Sequence, residues 1–153
     1  SINFNSAVTF LTNQILTGTS SITFASSVDG PGSLTINGNS GSVNFNADVG
    51  SSTVLSSLQI NSASAVVFSG DISATNISII PSVSLTSTSS VTGSSITFGS
   101  TINGPGSLIL RGSVTFRELW EIAPPFQIFL LHQGPLACGR AILPLQHSPL
   151  LQR

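Results

Sequence analysis

Ser20–Ile36 reads SSITFASSVDGPGSLTI, and Ser94–Leu110 reads SSITFGSTINGPGSLIL. Aligned from Ser20 and Ser94, the two stretches differ only at Ala25/Gly99, Ser27/Thr101, Val28/Ile102, Asp29/Asn103, Thr35/Ile109 and Ile36/Leu110. The likeness extends upstream. Val8–Phe10 (VTF) matches Val83–Leu85 (VSL), and Leu16–Phe24 matches Val91–Phe98 with one residue gained or lost in between. A repeat this close implies a fold that is modular along one axis, because each unit has to bury its apolar face against another of its kind.

The repeat has the period of a β-strand. Seven triplets share the form aliphatic, any residue, Phe: Ile2–Phe4, Val8–Phe10, Ile22–Phe24, Val43–Phe45, Val66–Phe68, Ile96–Phe98 and Val114–Phe116. Residues i and i+2 of a strand point to one side, so each triplet reads as a half-buried strand rich in β-formers. In five of the seven, an aliphatic residue stands four places after the Phe: Val8, Val28, Val49, Ile72 and Ile102. It keeps the same inward parity. A second strand follows at Leu34–Ile36, Leu58–Ile60, Ile77–Ile79 and Leu108–Leu110.

The anchors Phe24, Phe45, Phe68, Phe98 and Phe116 recur at intervals of about 20 residues, with one longer gap between Phe68 and Phe98. Like following like at that interval suits the coils of a solenoid. Hairpins would show two-residue turns between adjacent strands; Asn37-Gly38 and Asn103-Gly104 keep an antiparallel arrangement open. The favoured reading is an all-β, right-handed parallel β-helix over residues 1–116, each coil rising about 4.8 Å. Phe24, Phe45, Phe68 and Phe98 are expected to form one buried stack, with Val28, Val49, Ile72 and Ile102 beside them. Gly30-Pro31-Gly32 and Gly104-Pro105-Gly106 read as sharp corners. The asparagines at Asn37, Asn39, Asn44, Asn46, Asn61 and Asn76 suit bends and coil-to-coil amide pairing.

The recurrent phrases ITF…V(D/N)GPGSLTI and GSVNFNADVG…SLQI resemble the passenger regions of bacterial surface proteins of the filamentous-haemagglutinin and adhesin type. The resemblance spans about residues 1–116. It implies a β-helix exported across an outer membrane, and a chain that is an interior slice of a longer rod whose neighbouring repeats continue it. It also implies a structural or adhesive stalk on an extracellular or bacterial outer-membrane surface, meeting host-cell or cell-surface glycans and proteins. No export signal, secretion-recognition domain or membrane barrel of that family is visible.

Composition narrows the functional classes. Only 6% of the residues are charged, against about 25% in typical soluble proteins. There is no Lys; the basic residues are Arg111, Arg117, Arg140 and Arg153, and the acidic ones Asp29, Asp48, Asp71, Glu118 and Glu121. Nucleic-acid binding needs clustered cations, and residues 1–110 contain none. Cys138 is the single cysteine, which leaves no disulfide framework and no cysteine-based metal site. The longest apolar run, Ile122–Leu131, is broken by Pro124, Pro125 and Gln127 and falls short of the ~20 residues of a membrane span.

After Phe116 the composition changes. Residues 117–153 contain no Thr, one Ser, five of the eight prolines, both histidines and the only Trp, and no strand alternation is evident. Three origins stay open for this irregular tail: an out-of-frame product, a cap over the last coil, or a separate interaction segment. It is expected to be poorly ordered or loosely packed on the rod end.

Little in the chain reads as catalytic. β-Helix enzymes that cut acidic polysaccharides need clustered carboxylates, often with Ca²⁺, and a cation beside them. Asp48 and Asp71 both stand three places after their Phe, so they share a register and could share a cation; solvated corner residues are the favoured reading. Asp29 lies two places further along its own coil and is Asn103 in the second copy. His132 and His147 sit in the tail and select no serine as a nucleophile. Gly30–Gly32 lacks the Lys and helix of a phosphate loop. Asn76-Ile77-Ser78 is a formal glycosylation sequon that also reads as strand. Outward Thr at regular spacing on a flat face (Thr9, Thr23, Thr35, Thr97, Thr115) is how ice-binding solenoids order water, but the outward positions Asn3, Asn44, Val67 and Ser84 vary, which argues against a regular array. No catalytic, cofactor or metal residue is assigned, and an enzyme is not expected. The rival class is a carbohydrate-active β-helix enzyme or a carbohydrate-binding module.

Overall fold

The computed structural model describes residues 1–117, 127–130 and 137–138, and among them every regular element is a β-strand. In chain order these are β1 (Ile2–Phe4), β2 (Val8–Thr9), β3 (Gln14–Thr17), β4 (Ile22–Phe24), β5 (Val28–Asp29), β6 (Ser33–Asn37), β7 (Val43–Phe45) and β8 (Leu55–Ser62). There follow β9 (Val66–Phe68), β10 (Ile72–Ile79), β11 (Val83–Leu85), β12 (Ser89–Phe98), β13 (Ile102–Asn103), β14 (Ser107–Phe116), β15 (Gln127–Leu130) and β16 (Ala137–Cys138).

All pairings are parallel, and each joins one coil to the next. The chain is a parallel β-solenoid with three faces. On the first face lie β1-β4-β7-β9-β11-β13, six strands for six coils. The second face begins with β2 and β5 and continues through the bridges Val28↔Val49 and Val49↔Ile72 into the first halves of β10, β12 and β14. The third face is β3-β6-β8 and then the second halves of β10, β12 and β14. The antiparallel alternative is thereby removed.

The period-2 pattern explains the core. Strands β4, β7, β9 and β11 each bury their first and third residues while the middle one faces outward. Inward side chains from all three faces meet in one continuous column of fully buried aliphatic and aromatic groups, from Ile22 to Phe116. Phe4, Phe24, Phe45 and Phe68 stack ring on ring at 4.8, 4.9 and 5.1 Å between centroids. That spacing is the inter-strand distance itself, so the backbone ladder dictates the ring stack.

Phe98 does not join that stack, contrary to the sequence expectation. The first-face place above Phe68 belongs to Leu85. Phe98 lies on the third face above Ile79 and stacks with Phe116 at 5.8 Å. Ile102 correspondingly sits on the first face beside Val83 rather than in the column of Val28, Val49 and Ile72. Leu108–Leu110 occupies the second face, where Leu110 follows Val91. The long gap between Phe68 and Phe98 is therefore one full coil, from Phe68 to Leu85, then a shorter step from Leu85 to Phe98 onto another face.

The whole second copy of the repeat is thus rotated by one face relative to the first. ITF lies on the first face at Ile22–Phe24 and on the third at Ile96–Phe98. GPG turns the corner after the second face in one copy and after the first face in the other. Both corners use the same device. Gly30 has φ 124° and Gly104 φ 131°, and a Cβ on either would collide with a carbonyl of the preceding coil, at Phe10 and Leu85 respectively. The three faces are alike enough for one phrase to serve on any of them.

Two short pieces of the tail extend the ladder. β15 pairs in parallel with the first half of β14, and β16 with its last two residues. The sequence showed no alternation there; the exposed edge of the last coil supplies backbone partners regardless of side-chain pattern. The remaining tail, including Trp120, His132 and His147, lies outside the described residues.

Candidate functional site

Each acidic residue of the solenoid has a structural bond. The Asp48 carboxylate Oδ1 accepts the backbone N–H of Asp71 at 2.9 Å, and Asp71 Oδ1 accepts that of Ser90 at 2.8 Å. The two residues do share a register on adjacent coils, as their spacing after Phe45 and Phe68 predicted. What they share is a chain of charge-assisted bonds that ties one coil to the next. Asp29 Oδ1 accepts from Ser52 at 2.8 Å and Thr53 at 3.2 Å, bracing the loop of the next coil. Among the described residues no three His, Cys, Asp or Glu side chains stand close enough to hold a metal ion.

Of the asparagines expected at corners, Asn39 holds one by its backbone, whereas Asn44 and Asn76 lie within β7 and β10, and the amide pairing from coil to coil is seen at Asn37 and Asn61. Asn39 adopts φ 50°, and its side-chain amide donates to the Gly18 carbonyl at 3.0 Å. Asn61 donates to Asn37 Oδ1 of the neighbouring coil at 3.1 Å, an amide ladder. Asn44 donates to Ser42 at 3.2 Å and to Thr23 at 3.4 Å. Most of these bonds join coil to coil.

A shallow groove of about 390 Å³ runs along the corner between the second and third faces, lined by Val54, Ser73, Thr75, Thr92, Gly93 and Ser94 among others. Its polar side chains are hydroxyls, and none of its lining residues is ionisable.

The third face carries the most regular chemistry of the molecule. Register places Ser33, Ser57, Asn76, Ser95 and Ser113 in one outward rank. A second rank, two residues along each strand, begins with the exposed Ile15 and continues through Thr35, Gln59, Ser78, Thr97 and Thr115. Between the ranks the strands bury Leu34, Leu58, Ile77, Ile96 and Val114. The four variable positions that spoke against an outward array, Asn3, Asn44, Val67 and Ser84, all belong to the first face. The signal for the third-face ranks is present in the sequence as the triplets SLT, SLQ, NIS, SIT and SVT, polar on both sides of one aliphatic. It was hidden because nothing local says which triplets share a face.

The chain matches no known protein family, no curated protein and no solved structure. No helix among the described residues is long and apolar enough to cross a membrane.

Proposed function

We propose that this chain is a structural or adhesive stalk segment of a secreted or surface-exposed repetitive bacterial protein. The observation that supports this reading is the unbroken parallel ladder of six coils around one apolar column. Each coil adds about 4.8 Å of reach, and its backbone bonds lie along the axis that would bear load. Three interchangeable faces let such a segment lengthen by repetition without new design. On this reading, contacts with host-cell or cell-surface glycans and proteins are weak and repeated.

The rival is a carbohydrate-active β-helix. One measurement reads the mechanical property a stalk needs, and a second separates the classes. Pulling the chain from its two ends in an optical trap should release it in coil-sized steps of roughly 20 residues, as stacked repeats with nearest-neighbour coupling do. Incubation with polygalacturonate and similar polymers, with and without Ca²⁺, should leave polymer length unchanged. Depolymerisation of any of them would overturn the stalk reading.

A further inference from the structure

We propose that the third face binds ice through its two ranks of hydroxyl side chains. The inference rests on the register of that face and is independent of the stalk reading.

Parallel pairing makes the ranks a two-dimensional lattice. Neighbouring strands stand about 4.8 Å apart, and outward residues i and i+2 about 6.7 Å apart along each strand. On the five coils from Ser33 to Thr115, eight of the ten lattice points are Ser or Thr: Ser33, Ser57, Ser95 and Ser113 in one rank, Thr35, Ser78, Thr97 and Thr115 in the other; the exposed Ile15, paired with Thr35, ends the hydroxyl array on that side. The lattice is rigid, because the residues between its ranks are core members with 0–2% exposure. β-Branched Thr side chains are additionally stiff about χ1, so their hydroxyls are held in place before any ligand arrives.

The chemistry of the face selects its occupant. Neither rank contains an ionisable residue, so a charged polymer finds no counter-charge. Neither contains an aromatic ring, the flat platform on which sugar rings stack, and the chain has no Tyr at all. A complementary ligand is uncharged, flat, periodic in two directions and bonded only through hydroxyl hydrogen bonds. The surface of ice meets each condition, and its oxygen lattice repeats on a comparable scale. The ranks are interrupted at their middle, where Gln59 and Asn76 are longer amides and the Ser57 Oγ beside them is shielded from solvent.

The test uses the full chain, fluorescently labelled, in two assays: incorporation into a slowly growing ice hemisphere, and inhibition of recrystallisation in frozen sucrose. Circular dichroism and a thermal melt establish that each variant is folded. Wild type should enter the ice and hold grains small. Thr97→Lys, which puts a charge in the lattice, should raise the protein concentration needed by about tenfold. Ser84→Lys, an outward change on the first face, should act as wild type. Gln59→Thr with Asn76→Ser, which completes the ranks, should lower the concentration needed. Should Thr97→Lys fail to fold, Thr35→Lys carries the same decision. Exclusion of folded wild type from ice overturns the proposal, as does equal loss in Thr97→Lys and Ser84→Lys. Retention on crystalline cellulose together with exclusion from ice would assign the face to a neutral polysaccharide instead.

Discussion

The polar side chains of this solenoid divide by whether they found a partner. Asp29, Asp48 and Asp71 each receive backbone N–H groups of the following coil, so the few charges present hold corners together. Ser89 is the exception within the core. It lies at the start of β12 with 0% exposure, beside Leu108 of the next coil, and its Oγ finds no hydrogen-bond partner. A buried hydroxyl without a partner carries its full desolvation cost. Ser89→Ala should therefore stabilise the chain by about 1 kcal/mol, seen as a rise in the urea midpoint at unchanged slope. A fall in the midpoint would mean that the hydroxyl is bonded in solution. The Asp48 and Asp71 relationship was legible from their equal distance after Phe45 and Phe68. The Ser89 problem was not: its parity with Leu85 and Val91 points inward, but only the packing of neighbouring coils shuts its Oγ away from any partner.

At the level of strands, the decisive fact is which coil stacks on which. Phe45 and Phe68 touch ring to ring at 5.1 Å and 13°, whereas Phe68 and Phe98 lie on different faces and Leu85 holds the place above Phe68. Because Leu85 fills the Phe column naturally, Phe→Leu is the mildest substitution for probing it. The pair Phe45→Leu and Phe68→Leu should show a coupling energy of about 0.5–1.5 kcal/mol in a double-mutant cycle. Phe68→Leu and Phe98→Leu should add to within about 0.5 kcal/mol. A single stack running through all four rings would couple both pairs, so the two cycles distinguish the arrangements directly. Truncating Phe45 fully to Ala should cost about 3–5 kcal/mol. The strands and their inward residues were readable from alternation alone. Their order on the faces was not, because the coil from Phe68 to Leu85 and the step from Leu85 to Phe98 add to a gap that looks like one long coil.

Taken whole, the molecule is held by apolar stacking and axial backbone bonds. Residues 1–116 contain four ionisable side chains, Asp29, Asp48, Asp71 and Arg111, so screening has little to act on. Unfolding free energy should change by less than about 1 kcal/mol between low salt and roughly 1 M NaCl, where screening is nearly complete. Urea titrations at the two salt concentrations measure this, and a larger loss at high salt would reveal a charge network that the ladder does not contain. The same sparseness of charge leaves three flanks with few charges, of which the third is the most regular. Lateral surface grows with every coil, so whatever the third face binds, it binds by repetition and not through a single pocket.

The linear pattern alone makes the chain an all-β repeat of strands and corners, and the parallel ladder then excludes hairpins. Alternation of β-formers marks strands, recurrence of the Phe phrase marks coils, and GPG marks corners; each is a local constraint that acts within a few residues. The scarcity of charge is equally plain there. Everything that depends on accumulated length is settled only in three dimensions. The first-face column runs Ile2, Ile22, Val43, Val66, Val83, Ile102, and its coils are unequal, the one from Val66 to Val83 being the shortest. Their sum carries the second copy of the repeat onto a different face from the first, so identity of sequence did not mean identity of place. The outward ranks exist only once those lengths have been added around the axis, since side chains that share a lattice here are about 20 residues apart in the chain and roughly 5 Å apart across neighbouring strands.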